Sequence, residues 1–204
     1  RMPEELRLQL PRIHELLQAF NIPVFEIENY EADDLLGTLG KQATQQDILA
    51  MIATGDRDLF QLIGPRLLVR YTPGGPHPQT LVYDESQVKA RFGLSPSQLV
   101  DHKALVGDKS DNIPGVPGIG DKTATKLLAE FGDLDTLYAR LDEVKPGRVS
   151  QLLAEHKDQV MLNRRLATIV TDLPVELALD ACVVSDYDRE EVMSLFRELG
   201  FRSL

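Results

Sequence analysis

Acidic side chains cluster in three short stretches of the sequence, and carboxylates in such clusters can hold metal ions. The seven residues are Glu31, Asp33 and Asp34 in the first stretch, Asp56 and Asp58 in the second, and Asp108 and Asp111 in the third. If the fold brought them together, they would repel one another unless cations bound between them. Magnesium suits such a site because it takes oxygen ligands and retains water beside phosphate groups. Two ions about 3.5–4 Å apart would serve hydrolysis of a phosphodiester, with some of the carboxylates acting through water.

The predicted strands place these acids where they can converge. Residues 22–27 are predicted to form a strand before the first stretch, and the apolar run 48–54 predicts a buried parallel strand before the second. Ligands of parallel α/β sheets bind beyond the carboxyl ends of the strands, so we predict that all three stretches line one cleft at that edge. Each stretch also has a simpler interpretation, because acids favour the first turn of a helix, turns after strands and helix caps.

The remaining pattern is α/β in the first part of the chain and helical afterwards. Further strands are predicted at 67–71 and 80–83, with a helical turn at 59–63 and an extended segment at 171–179. Helices are predicted at 4–20 with a restart at Pro11, at 31–45, at 85–92 after the cap Asp84, at 95–106, 122–131, 134–141, 149–156 and 158–169, and at 189–199 after the cap Asp188. We therefore predict an α/β sheet followed by a mainly helical region, with a boundary near residue 84.

A Gly/Pro hairpin, GVPGIG at residues 115–120, connects two of the predicted helices. Its glycines let the backbone approach a phosphate closely, and the following helix would offer its unpaired N–H groups. A P-loop is excluded because Asp121 stands before Lys122, and a dinucleotide fingerprint is excluded because Thr123 replaces its third glycine. The remaining pattern resembles a helix–hairpin–helix DNA-binding motif, although an ordinary helix connector would have the same glycines.

Composition excludes several classes of protein. The 204-residue chain carries a net charge of −10, so any binding of nucleic acid must be local. The single cysteine, Cys182, excludes an internal disulfide framework and suits a reducing cytosol. The histidines, His14, His77, His102 and His156, are scattered, which argues against a zinc site. The sequence contains neither a membrane-spanning run nor a signal-peptide pattern.

Three motifs, in order along the chain, resemble those of a known family. They are YEADD at 30–34, TGDRDLFQL at 54–62 and GDKSDNIPGVPGIGDKTA at 107–124. Together they resemble the 5′-nuclease (5′-3′ exonuclease) domain of bacterial DNA polymerase I, within the flap endonuclease superfamily, and the similarity covers nearly the whole chain. The resemblance implies an α/β fold with a parallel-sheet nuclease core of the PIN or flap-endonuclease type, followed by a helix–hairpin–helix region. It also implies cleavage of DNA at 5′ flaps and nicks, in replication and repair, in the bacterial cytoplasm at the nucleoid.

The resemblance assigns roles by position. All seven acids become ligands of Mg²⁺ or Mn²⁺, two ions in number, and Glu31, Asp56 and Asp108 become the catalytic residues. The implied DNA-binding residues are Gly115, Val116, Gly118, Ile119, Gly120, Lys122, Thr123 and Lys126. In the family the hairpin also holds a K⁺ ion through backbone carbonyls.

The sequence departs from the family pattern at its start. The family begins with a strand that bears another metal-binding Asp and with an arch that threads the flap, and both would precede Arg1. The resemblance therefore implies an N-terminally truncated piece, with a partial α/β nuclease core at 1–84, a helical DNA-binding region at 85–180 and a last helix at 181–204. Its implied partners are flap or nicked DNA, the missing N-terminal segment and polymerase domains, without a membrane.

Two alternatives remain open at the level of the sequence. The first is a duplex-DNA-binding fragment that cannot cut because the first strand and the arch are absent. In that case the run 48–54 would keep one edge unpaired and would invite pairing with another chain. The second is a metal-dependent phosphatase or ribonuclease on a similar acidic sheet. The hairpin disfavours this alternative, because an enzyme that acts on small phosphates has no use for a segment that binds duplex DNA.

Overall fold

The computed structural model describes residues 3–75, 79–183 and 186–201. Its helices are α1 (Glu4–Arg7), α2 (Leu10–Ala19), α3 (Ala32–Gln45), α4 (Glu85–Phe92), α5 (Gln98–Val106), α6 (Asp121–Phe131), α7 (Leu134–Ala139), α8 (Gly147–Glu155), α9 (Lys157–Ala167) and α10 (Arg189–Glu198). Its strands are β1 (Ala50–Thr54), β2 (Leu67–Tyr71), β3 (Leu81–Tyr83), β4 (Gly107–Asp108) and β5 (Ile113–Pro114). The chain divides into a larger unit, Ala32–Pro174, and a smaller unit that joins Arg1–Glu31 to Val175–Leu204. The boundary near residue 84 stays a prediction, and His77 lies outside the described residues.

A three-stranded mixed sheet in the order β1–β2–β3 lies in the larger unit. β1 pairs in parallel with β2, with Ile52 opposite Val69, and β3 runs antiparallel to β2. The core beside the sheet contains Leu59 and Phe60 from the 3₁₀ turn Asp58–Leu62, both fully buried. Helix α3 packs against β1 and β2, so the prediction of an α/β core is confirmed.

The prediction that the run 48–54 forms a parallel strand is confirmed, but its burial is confirmed for one face only. Ile52 is buried, but its neighbour Met51 is 50% exposed and Ala53 is exposed as well. Within the described residues, β1 pairs along one edge only, and a single face of the strand is covered. The apolar run therefore has one face in the core and one face exposed. Because the residues on both faces are apolar, the sequence alone could not show which face is covered.

The predicted strand at 22–27 is also wrong, because this segment is irregular. Ile22 and Val24 are about half exposed, whereas Phe25 and Ile27 are partly buried. A strand needs a partner for its N–H and C=O groups, and no described segment of the smaller unit pairs with this one. The apolar side chains that suggested a strand therefore lie in a segment that belongs to no sheet.

Helix packing forms the smaller unit. Helix α2 carries Pro11 in its first turn, which confirms the predicted restart, and it packs against α10. The ring centroid of Phe20 lies 4.8 Å from that of Tyr187 and 5.8 Å from that of Phe196. Asp188 accepts hydrogen bonds from two backbone N–H groups in the first turn of α10, so the predicted cap is confirmed.

Five helices, α5 to α9, form the second core of the larger unit, whereas α4 contributes Val88 to the core beside the sheet. The fully buried leucines of this core include Leu105, Leu128 and Leu153, and α5 packs against both α6 and α9. Asp84 caps α4 as predicted, in a capping box with Gln87. Helix α5 begins at Gln98, about one turn later than predicted, and the other predicted helices are confirmed within a few residues. None of the described helices is long and apolar enough to cross a membrane.

Candidate metal centre and hairpin

A tight turn after β1 positions the second acid stretch. The N–H of Asp56 donates to Oγ1 of Thr54 at 2.9 Å, and the N–H of Asp58 donates to Oδ1 of Asp56 at 2.9 Å. Asp58 begins the 3₁₀ turn whose next two residues, Leu59 and Phe60, are fully buried. The buried neighbours therefore fix the turn and hold the carboxylate of Asp58 in a defined place.

The third stretch lies on a small β-hairpin made by β4 and β5. Asp108 pairs with Ile113 across this hairpin, and Asp111 lies in the turn between the two strands. Oδ1 of Asp108 accepts a hydrogen bond from the N–H of Ser110 at 2.7 Å and another from its hydroxyl. The turn thus uses Oδ1 of Asp108 for its own structure, and Oδ2 faces Lys103 on α5.

Three of the seven predicted acids come together in the structure. Asp58, Asp108 and Asp111 each offer a carboxylate oxygen, and these oxygens lie within 4.8 Å of one another. The Nζ atom of Lys103, on α5, lies 2.5 Å from Oδ2 of Asp58, 2.7 Å from Oδ2 of Asp108 and 2.9 Å from Oδ2 of Asp111. We call Asp58, Asp108 and Asp111 the acid cluster. Its centre is occupied by the ammonium group of Lys103, a residue that the sequence analysis did not single out.

The other four predicted ligands have different surroundings. Asp56 is exposed and supports the turn of Asp58. Asp33 and Asp34 lie in the first turn of α3, where Oδ1 of Asp34 accepts the N–H of Val170 at 2.8 Å. Glu31 belongs to the smaller unit. Their roles as metal ligands stay predictions.

Charge interactions within the acid cluster shift the pKa values of its members. Burial by itself lowers the pKa of Lys103, yet its hydrogen bonds to Asp108, Asp58 and Asp111 outweigh burial and raise that pKa above the ordinary value. The pKa of Asp108 is held well below its usual range by hydrogen bonds from Lys103 and Ser110. Burial raises the pKa of Asp58, and Lys103 only partly offsets this. Lys103 and Asp108 are therefore both charged at neutral pH.

The chemistry of the acid cluster fits a hard divalent ion. Its donors are carboxylate oxygens, which Mg²⁺ and Mn²⁺ prefer, and no described thiol or imidazole belongs to the group. An ammonium group already lies within hydrogen-bond distance of all three carboxylates, so the geometry converges on one cation. The arrangement can bind a metal and bring it to a phosphate, provided that the ammonium group of Lys103 moves out of the centre of the acid cluster.

The hairpin at 115–120 is anchored by its backbone and by two buried side chains. A Cβ atom added to Gly115 would lie 1.9 Å from the carbonyl oxygen of Val106, so only glycine fits this crossing. The N–H of Val116 donates to the carbonyl of Leu105 at 2.8 Å. Val116 and Ile119 are only 3% and 4% exposed within the helical core. These two side chains hold the hairpin in place. Only the backbone atoms of Val116 and Ile119 therefore remain available to a ligand.

The outer side of the hairpin leads into an open helix start. Gly120 is the N-cap of α6 and has no side chain with which to cap the helix. A Cβ added to Gly120 would meet no described atom within 4 Å, which shows free space in front of this turn. Lys122 and Lys126 are exposed, and they share one face of α6 because they are four residues apart. Uncapped N–H groups beside two lysines are suited to a phosphate backbone.

Asn163, which the sequence analysis missed, ties the hairpin to the helical core. Its buried side chain donates from Nδ2 to the carbonyl of Ala104 at 3.0 Å and to that of Pro114 at 2.7 Å. It thus joins α5, which carries Lys103, to the strand that precedes the hairpin. Asn in the middle of a helix is unfavourable by propensity, and this was the signal in the sequence for a tertiary role.

Comparison with protein families identifies the chain. Residues 1–93 match the family described as 5′-3′ exonuclease, N-terminal resolvase-like domain, and residues 94–190 match 5′-3′ exonuclease, C-terminal SAM fold. The chain belongs to the 5′-3′ exonuclease family. The predicted resemblance and the predicted fold class are thereby confirmed. The chain is 47% identical over 201 residues to DNA polymerase I of Bacillus caldotenax, covering 98% of this chain and 23% of that protein. It thus spans about a quarter of the length of the curated relatives it matches.

Solved structures show the same fold. The chain is similar to the flap endonuclease of bacteriophage T5 in a pseudo-enzyme–product complex with DNA and metal ions, with a TM-score of 0.69 and 21% identity, over 98% of this chain and 71% of that one. It is also similar to the catalytic core of Rad2 in complex with DNA substrate, with a TM-score of 0.60 and 17% identity, over 97% and 65% of the two chains. Both relatives therefore share the α/β core and the helical region described above.

Proposed function

We propose that this chain is the metal-dependent 5′-nuclease region of a bacterial DNA polymerase I, acting on DNA at 5′ flaps and nicks during replication and repair. The observation that carries the proposal is the meeting of Asp58, Asp108 and Asp111 around one cation site, in the same unit as an open helix–hairpin–helix. Family membership supports the reaction class. The similarity to a flap endonuclease that was crystallised with DNA and metal ions supports the substrate class.

In this proposal the acid cluster holds Mg²⁺ or Mn²⁺, and the other acids complete the site. Two ions bound there would supply an activated water and would neutralise charge on the reacting phosphate. Asp58, Asp108 and Asp111 provide direct oxygen ligands. The remaining predicted ligands, Glu31, Asp33, Asp34 and Asp56, act directly or through water. Asp56 has a second task, because its carboxylate fixes the turn that aims Asp58.

DNA is held by the hairpin in this proposal, through backbone groups more than through charge. The N–H groups at the start of α6 bind phosphate oxygens of one strand, with Thr123, Lys122 and Lys126 beside them. Gly118 and Gly120 keep the surface low enough for that approach. Backbone carbonyls of the hairpin would also accept a K⁺ ion. A local grip of this kind is compatible with the net charge of −10 of the whole chain.

A second candidate is a duplex-binding fragment that does not cleave by itself. Two observations on β1 favour it. No described strand pairs with one edge of β1, and Met51 on its open face is half exposed. In the family a further strand lies in the sheet and brings another metal-binding Asp. A phosphatase or ribonuclease is the weaker candidate, since the hairpin would then have no use.

Flap cleavage separates these candidates. The chain would be incubated with a labelled 5′-flap duplex in Mg²⁺, with EDTA as the control, and duplex binding would be measured in parallel by fluorescence anisotropy. Incision in Mg²⁺ supports the nuclease. Binding without incision, followed by incision when a polypeptide with the upstream strand and arch is added, supports the second candidate. Neither binding nor incision under any of these conditions would contradict both.

A further inference from the structure

Lys103 occupies an unusual place for a lysine. Its side chain is only 16% exposed, and its ammonium group lies between 2.5 and 2.9 Å from one oxygen of each residue in the acid cluster. The ammonium group donates hydrogen bonds to Asp58 and Asp111 and forms an ion pair with Asp108. It is thus neutralised by the same three residues that the proposed function assigns to metal binding.

The backbone of Lys103 is fixed although its side chain can move. The next two residues on α5, Ala104 and Leu105, are fully buried, and the carbonyl of Ala104 accepts a hydrogen bond from Asn163. The four-carbon stem of a lysine is flexible by contrast. The ammonium can therefore leave the acid cluster by rotation of its stem, while α5 stays in place.

A divalent ion and this ammonium compete for the same space. Mg²⁺ binds carboxylate oxygens at about 2.0–2.1 Å, well inside the distances at which Nζ now contacts them. A dication held by Oδ2 of Asp58, Asp108 and Asp111 would thus lie almost where Nζ lies, and the two cations would repel each other strongly. Without either cation, three carboxylates with oxygens within 4.8 Å would repel one another instead.

We propose that Lys103 is a positioning residue that acts as an internal counter-cation: it keeps the acid cluster assembled before a metal enters, and an entering divalent ion displaces it. The inference rests on the proposed function, since it takes the acid cluster as the metal site. Lys103 holds the three ligands at nearly their final spacing, so metal binding needs little rearrangement of the loops. In return, the metal binds more weakly than it would to a cluster without an internal cation.

The test compares Lys103→Met with Lys109→Met, a matched control. Lys109 is an exposed lysine next to Asp108, so the control removes the same charge near the same site without emptying the centre. Binding of Mg²⁺ and Mn²⁺ to the chain without DNA would be measured by calorimetry, and the melting temperature would be measured in EDTA. Lys103→Met should bind the first ion at least about tenfold more tightly than the unaltered chain, and Lys109→Met should stay within about twofold.

In EDTA, Lys103→Met should make the chain less stable, although the same substitution should raise the affinity for metal. Lys103→Met should lower the melting temperature by about 5 °C in EDTA and should recover it in Mg²⁺, because the metal replaces the lost cation. Lys103→Arg keeps the charge and should restore most of the stability in EDTA. If Lys103 had a merely structural role, Lys103→Met would lower the melting temperature equally in EDTA and in Mg²⁺. Its metal affinity would then be equal to or weaker than that of the unaltered chain.

A direct observation on the unaltered chain avoids any dependence on a variant that folds poorly. The ammonium proton–nitrogen NMR signal of Lys103, assigned by its loss in Lys103→Arg, should be visible in EDTA and should shift or vanish on titration with Mg²⁺. Metal binding with an unchanged Lys103 signal, or unaltered or weaker affinity of Lys103→Met, would overturn this inference and leave the proposed nuclease standing. No metal binding by any variant would overturn both, whereas displacement without flap cleavage would overturn only the nuclease.

Discussion

The acid cluster and the hairpin belong to the same unit, yet different forces hold them in place. In the acid cluster, the ammonium group of Lys103 lies between three carboxylates and offsets their mutual repulsion. In the hairpin, glycines pack backbone against backbone and two apolar side chains are buried, without any ion pair among the described contacts. Cations should therefore change the geometry of the acid cluster and leave that of the hairpin unaltered. The following substitutions test this contrast, from the largest expected effect to the smallest.

Asp108→Ala should separate cleavage from binding. It removes one carboxylate from the acid cluster and leaves the hairpin intact. If the acid cluster binds the catalytic metal as proposed, flap cleavage by the full-length protein should fall by about a hundredfold or more, with duplex affinity unchanged. Gel-based cleavage assays and anisotropy would measure the two. Asp142→Ala, at an exposed acid far along the chain, is the control. Normal cleavage by Asp108→Ala would remove this residue from the site.

Gly115→Ala should damage the hairpin through packing alone. The new methyl group would lie 1.9 Å from the carbonyl oxygen of Val106, which is part of the rigid backbone. We expect a loss of about 3 kcal/mol in the free energy of unfolding, equal in EDTA and Mg²⁺. Gly147→Ala, where an added Cβ would meet no described atom within 4 Å, should be nearly neutral. A loss that disappears in Mg²⁺ would contradict the contrast drawn above.

Asn163→Ala should loosen the connection between the two regions. It leaves the carbonyls of Ala104 and Pro114 without their buried donor, which should cost about 2 kcal/mol in urea denaturation. Gln159 also donates to the carbonyl of Pro114, at 3.0 Å, but from an exposed position. Gln159→Ala should therefore cost less than about 0.5 kcal/mol. Equal losses in the two variants would show that burial of the donor is unimportant.

Gly120→Val should weaken binding with little effect on the fold. Its φ of −106° is accessible to any residue, and the space around it is open among the described atoms. A side chain there would block the helix start, so duplex affinity should fall about tenfold. Gly118 is less suitable for this experiment, because its φ of +86° would add strain to any substitution. Unchanged affinity would exclude the hairpin from the interface.

Lys126→Met should give the smallest effect. Loss of one phosphate contact should weaken duplex binding modestly and should reduce the slope of log affinity against log salt by about one. Lys89→Met, on α4, is an exposed control that should leave the slope unaltered. If both variants had the same slope, Lys126 would act through general charge and not through a contact.

Local signals in the sequence predicted much of this fold. Asp84 and Asp188 marked the starts of α4 and α10 because a cap depends only on the next few residues. The strand at 22–27 was predicted wrongly and the burial of the run 48–54 only half correctly, since both depend on what lies next to them in space. A pattern of apolar residues indicates that one face is buried, but it does not identify the partner.

The candidate site was predictable only in part, for the same reason. The positions of Asp58, Asp108 and Asp111 at element ends suggested that they could meet. Lys103 and Asn163 gave weaker signals, because their roles arise from contacts with residues distant in the sequence, such as Asp58 for Lys103. Whether Glu31, Asp33, Asp34 and Asp56 bind metal stays a prediction, as does the DNA contact of the hairpin.

The close crossing of Gly107 and Gly115 has a consequence for where DNA would be cut. Gly107 precedes Asp108 directly and Gly115 precedes Val116 directly, and the two backbones are in contact at this crossing. No flexible side chain separates the two backbones at this crossing. Under the proposed function, the segment would therefore keep a fixed distance between the phosphate bound by the hairpin and the phosphate that is hydrolysed. We expect incision at one constant nucleotide step from the gripped strand position, whatever the base sequence.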